Sequence, residues 1–189
     1  MKKIILFLIA ISLSMALFAQ QESQRKPTKY EEFLSKTGVI VKFVDINLPK
    51  ISTNLSSSIQ TCIRIVQGSP NQYFYVLSKS DNGLLWDNFY SNGVAMIEYN
   101  DLVQVNKALD RIYSESETDL EMSPDYLKNV FITDDGFVVG HYVRKKQACS
   151  FMQLERHSDP IYIASYSKLV SAFKEAQAKI EELKANEGH

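Results

Sequence analysis

The chain has 189 residues, an apolar share of 45% and a formal charge of −1. That supports one domain with a sizeable core, or two small fused halves. With no basic excess and no arginine-rich stripe, the charge argues against a nucleic-acid partner.

The first nineteen residues carry an address. Lys2 and Lys3 precede an apolar run from Ile4 to Leu13, broken by Ser12 and continuing to Ala19. This is the layout of a secretory signal peptide, with residues 20–27 as a flexible lead-in and 28–185 as the mature α+β domain. A spanning helix needs about 20 apolar residues, and this run passes sooner into the polar stretch from Gln20 to Arg25. The expected product is exported, to the periplasm or beyond, with no membrane span after cleavage.

The mature chain opens with Thr28 and Glu31, a capping box for a short helix from Lys29 to Lys36. Gly38 to Ile46 is β-branched and predicts a strand that Leu48-Pro49 ends. From Ser58 to Gln67 the residues Ile59, Thr61, Ile63 and Ile65 share one parity, so the strand has one buried face. Gln72 to Ser78 and Val94 to Tyr99 predict further strands. Between them, the Asn82-Gly83 and Asn92-Gly93 turns bracket Trp86, Phe89 and Tyr90. Aromatic residues on a protruding segment suit ligand binding, although covering one end of the sheet is the simpler role for them.

The period then changes. Leu102, Val105, Leu109 and Ile112 line one face of a helix capped by Asn100 or Asp101. Ser114 to Asp119 is polar and predicts a loop, and Ser123-Pro124 a single helical turn. Phe131–Thr133 and Phe137–Arg144 form a hairpin around Asp135-Gly136. Lys145-Lys146 turns the chain into Gln147–Arg156, Ile161–Ser165 adds a strand, and Ser167–Lys184 is a second amphipathic helix.

The two strand-to-helix junctions, VAMIEYNDLVQVNKAL and PIYIASYSKLVSAFKEA, align without a gap. Tyr99 meets Tyr166 and Leu102-Val103 meets Leu169-Val170. The expected fold is α+β, with antiparallel sheets and two amphipathic helices. Its elements form two tandem ββββα units packed as one domain, with halves at 38–115 and 126–184.

Chemistry-bearing motifs are absent. His141, His157 and His189 share no ligand spacing, so no metal or cofactor is expected. His141 has the parity of Val139 and Val143 and reads as a hydrogen-bonded sheet histidine. No catalytic serine or cysteine signature occurs. Cys62 and Cys149 are either a disulfide, worth about 4.5 kcal/mol in the chain-entropy model, or two separate thiols.

The leader ending LFAQQ and the segment IEYNDLVQVNKALDRI resemble those of small exported proteins of unknown function common in Bacteroidetes. That resemblance implies export and carries no catalytic residues. The doubled ββββα order is similar to the Whirly-type fold, known for binding single-stranded DNA, a function that the leader and charge oppose here. The sequence therefore suggests a non-enzymatic exported binding module for a protein, glycan or small apolar ligand. The alternatives are an extracytoplasmic enzyme whose site gathers Arg64, His141 and Cys149, or a carrier enclosing an apolar ligand.

Overall fold

The computed structural model describes residues 26–35, 40–54, 57–79, 93–122 and 124–187. The signal segment, the aromatic cluster Trp86, Phe89 and Tyr90, and His189 lie outside the described residues.

Helix α1 (Lys29–Leu34) precedes strands β1 (Lys42–Ser52), β2 (Ser58–Gln67), β3 (Gln72–Lys79) and β4 (Val94–Glu98). Helix α2 (Tyr99–Glu121) follows, then β5 (Tyr126–Ile132), β6 (Val138–Arg144), β7 (Gln147–Gln153), β8 (Ile161–Tyr162) and helix α3 (Tyr166–Asn186). The strands form two four-stranded sheets in sequential order, β1-β2-β3-β4 and β5-β6-β7-β8. Every pairing is antiparallel. The fold is thus α+β, with each sheet followed by a long helix. An antiparallel bridge from Thr53 to Ile163 brings the end of β1 to the end of β8.

The helices start where the junction alignment places them. Tyr99 and Tyr166 are their first residues, and Leu102 and Leu169 are fully buried. The caps sit one residue before each tyrosine: the Glu98 carboxylate accepts from the Asn100 N–H, and the Ser165 hydroxyl from the Lys168 N–H. Asn100 and Asp101 are already inside α2, so the expected caps are displaced. One hydrophobic cluster joins Ile63, Tyr75 and Leu77 of the first sheet to Val139 and Met152 of the second, with Leu109 of α2 and Phe173 of α3 between them. Full burial of each such aliphatic or aromatic side chain is worth about 1.5–3 kcal/mol.

Strands β7 and β8 stop short of the expected Arg156 and Ser165, and β1 begins at Lys42; three other boundaries depart for physical reasons. Strand β1 runs through Leu48-Pro49 instead of ending there. It pairs only with β2, so Pro49 needs no ladder donor on its free side, and the register shifts between Leu48 and Ile51. Helix α2 continues through Ser114–Asp119, because the polar residues there have partners. Arg111 Nε donates to Glu115 Oε1 at 2.9 Å, and Glu115 and Asp119 both accept from Asn129 Nδ2 on β5. Strand β5 starts at Tyr126, directly after the Pro124 region where a helical turn was expected. Its inward polar residue Asn129 masks the alternation.

Strands β5 and β6 approach closely at Gly140. A Cβ there would lie 2.1 Å from the Asn129 carbonyl oxygen, so only glycine fits.

The outer face of the first sheet is covered. Tyr30 of α1 packs with Cys62, Val66, Phe74 and Val76 in a second buried cluster. Within this layer Arg64 grips Asp45 with two bonds, Nε to Oδ1 at 2.8 Å and Nη2 to Oδ2 at 2.6 Å. Its third arm donates to the Tyr30 hydroxyl at 3.2 Å.

Of the two cysteine alternatives, the disulfide is excluded: Cys62 and Cys149 are both free. Cys62 faces the α1 cluster behind the first sheet, whereas Cys149 pairs with Tyr142 on the second. The thiols belong to different sheets and different packing layers. Burial, followed by the nearby Asp45 charge, pushes the Cys62 thiol up to about 12.

Candidate ligand-binding face

The second sheet buries one face in the main core, and among the described residues no helix or sheet packs on the other. Strand alternation places Tyr126, Lys128, Val130 and Ile132 of β5 on the outer side. The register sets Lys128 beside Tyr142, Tyr142 beside Cys149, and Phe151 beside Tyr162. Four rings therefore form one surface. Tyr126 and Tyr142 lie 6.2 Å apart and nearly parallel at 28°. Tyr142 meets Phe151 at 6.1 Å and Tyr162 at 6.3 Å. None of the four belongs to either of the hydrophobic clusters formed by the described residues.

Exposure shows which rings are available. Tyr126 is 59% exposed and Tyr162 37%, while Tyr142 is half-buried and Phe151 is buried at 3%. Phe151 acts as the floor. Lys128 Nζ sits 5.0 Å from its ring centroid, a cation–π contact worth about 0.5–1 kcal/mol when exposed. Contact with the Cys149 thiol, then burial and the neighbouring Tyr162, raise the Tyr142 hydroxyl to about 12. Tyr142 therefore stays neutral, with a hydroxyl able to hydrogen-bond at any physiological pH.

A second concavity of about 590 Å³ lies between α1, the start of β3 and the end of α3. Lys29, Phe33, Tyr73, Tyr99 and Lys184 line it. Its polar groups already engage one another. Lys184 Nζ stands 4.0 Å from the Tyr99 ring centroid, the Tyr99 hydroxyl donates to Glu181, and both Tyr73 and Asn71 donate to Glu187. Burial and the Glu187 contact raise the Tyr73 hydroxyl to about 12. Lys29 is also tied to Asp101 at 2.6 Å. A ligand here would have to displace these bonds, which makes the open sheet face the stronger candidate.

The residues of the expected enzyme alternative are separated. His141 is buried at 2% under α2, with Nε2 3.0 Å from Asp119 Oδ2. Cys149 lies on the opposite side of the same sheet, since it pairs with Tyr142 and not with His141. Arg64 is in the first sheet and committed to Asp45. Among the described residues no group of His, Cys, Asp and Glu could hold a metal ion, and no helix is long and apolar enough to cross a membrane.

No motif in the sequence singles out these four rings. A signal existed: Tyr142 has the parity opposite to the buried Val139, His141 and Val143. Comparison with family models, curated proteins and solved structures returns no match.

Proposed function

We propose that this protein is an exported, non-enzymatic binding module that holds a glycan across the outer face of its second sheet. The observation that carries this reading is the continuous ring surface of Tyr126, Tyr142, Phe151 and Tyr162, on a face against which no described helix or sheet packs. Flat rings offer apolar area to the C–H faces of sugars, and the tyrosine hydroxyls and Lys128 offer hydrogen bonds around them. The first sheet shows the contrast, because α1 occupies its equivalent face. Lys2-Lys3, the apolar run and the polar Gln20 support export.

Capture on an array of immobilised glycans tests the binding. Tyr126→Ala with Tyr162→Ala should abolish capture while the far-ultraviolet circular dichroism is unchanged, because both side chains are exposed. Full capture by the double variant would refute the reading. Intact mass of chain recovered from the periplasm or medium tests the address, with a terminus at Gln20 expected.

A further inference from the structure

We propose that the glycan is anionic, bearing carboxylates or sulfates. This rests on the binding reading above and adds the ligand's charge. One end of the ring surface carries four exposed cations. Arg144 pairs with Tyr126 in the register, Lys145 and Lys146 form the adjoining turn, and Lys128 lies beside Tyr142. None of the four forms an ion pair with a described residue, whereas Lys29, Arg64, Arg111, Lys174 and Lys179 all do. Asp125, next to Tyr126, is the acid nearest in sequence.

The turn itself points the same way. Arg144 pairs with Gln147, so Lys145 and Lys146 are the two central residues of a tight hairpin. Both have positive φ, 50° and 60°. That is the geometry for which Asn-Gly is strongly favoured, and each non-glycine residue there is strained. The chain uses Asn-Gly elsewhere, at Asn92-Gly93, yet places two lysines here. A local rule broken at the edge of a binding surface fits retention of the charge for a ligand.

The charge density selects the ligand class. A uronic-acid chain presents C–H faces and carboxylates together, which the accessible rings and the four exposed cations beside them complement. Duplex DNA crowds one charge into about every 1.7 Å of axis, and the overall charge of −1 opposes it at long range.

The test uses matched pairs: polygalacturonate against its methyl ester, and dextran sulfate against dextran. At least one anionic member should bind ten-fold or more tighter than its neutral partner, with the difference lost in high salt. Lys145→Asn with Lys146→Gly should shrink that difference at least three-fold and raise the melting temperature. Equal binding within both pairs overturns the inference. If the tyrosine variants still abolish capture in that case, the glycan reading survives alone. If they do not, the glycan reading fails with it. Tighter binding of a single-stranded DNA oligomer than of either polyanion would also overturn the inference.

Discussion

Replacing Asp45 by Asn isolates the buried ion pair that fastens the covered face of the first sheet. The side chains of Arg64 and Asp45 are 6% and 4% exposed, so water screens neither. Two bonds at 2.8 and 2.6 Å hold the carboxylate, and the guanidinium spends its remaining arm on Tyr30. Asn keeps the shape but removes the counter-charge. The Arg64 guanidinium, raised further above its usual range chiefly by its bond to Asp45, must then stay charged in an apolar layer beside the Phe43 ring. Removing one partner of such a pair costs about 3–5 kcal/mol. That is a large part of the roughly 5–15 kcal/mol that holds an ordinary domain together.

Urea denaturation followed by circular dichroism reads this directly. With a slope of about 2 kcal/mol per molar, the midpoint should fall by roughly 2 M. Asp45→Leu combined with Arg64→Met should recover most of the loss, because the surroundings are Tyr30, Cys62 and Phe74. A loss below about 1 kcal/mol for Asp45→Asn would refute the reasoning, since a buried unpaired charge cannot be so cheap. So would a double variant no more stable than the single one.

Iodoacetamide at pH 8 should label Cys149 in the folded protein and leave Cys62 untouched until unfolding, as mass spectrometry of the peptides would show. Bound glycan should slow the Cys149 reaction. Asp119→Ala should cost about 1–3 kcal/mol in urea, because His141 Nε2 is left buried without its acceptor. Gly140→Ala should cost at least the upper end of about 1–3 kcal/mol, since its Cβ meets backbone and cannot be relieved by a rotamer change. Burial raises the Asp135 carboxyl despite the opposing Lys29 N–H bond, so the folded chain binds that proton more tightly than the unfolded one. The sign follows: ionisation of Asp135 disfavours folding, and its contribution falls as pH rises from the unfolded carboxylate value through the raised folded one. Asp135→Asn should therefore gain on the natural protein across that acidic window, with a constant difference at higher pH, measured by paired urea midpoints.

The fold was legible wherever one residue's pattern matched one environment. Ile59, Thr61 and Ile63 alternate because β2 separates two unlike layers, and its limits are found as expected. Leu102, Val105 and Leu109 repeat helically because one side of α2 meets the core. Legibility failed where partners lay far away in sequence. Ser114–Asp119 looks like loop until Asn129 and His141 are placed beneath Glu115 and Asp119. Asn129 hides β5 for the same reason, since its polarity suits that network and breaks the apolar alternation. Cys62 and Cys149 invite pairing in a chain read as exported, and only the three-dimensional separation of their layers removes it.

The ring surface was hidden by a different cause. Phe151 and Tyr142 have the composition of core residues, and a strand buried on both faces would contain them equally well. What distinguishes the two sheets is not strand composition but what precedes them. Tyr30 reaches the first sheet because the Thr28–Glu31 box starts a helix there and Arg64 grips its hydroxyl. The register position of Arg64 in the first sheet thus serves a cover, while Arg144 and the strained Lys145-Lys146 turn in the second are exposed and form no ion pair with a described residue. If those cations were only solubilising, Asn-Gly in their place would raise stability at no loss of binding. The opposite pairing, a gain in melting temperature with a loss in affinity for polyanions, is the signature of a turn retained for its charge.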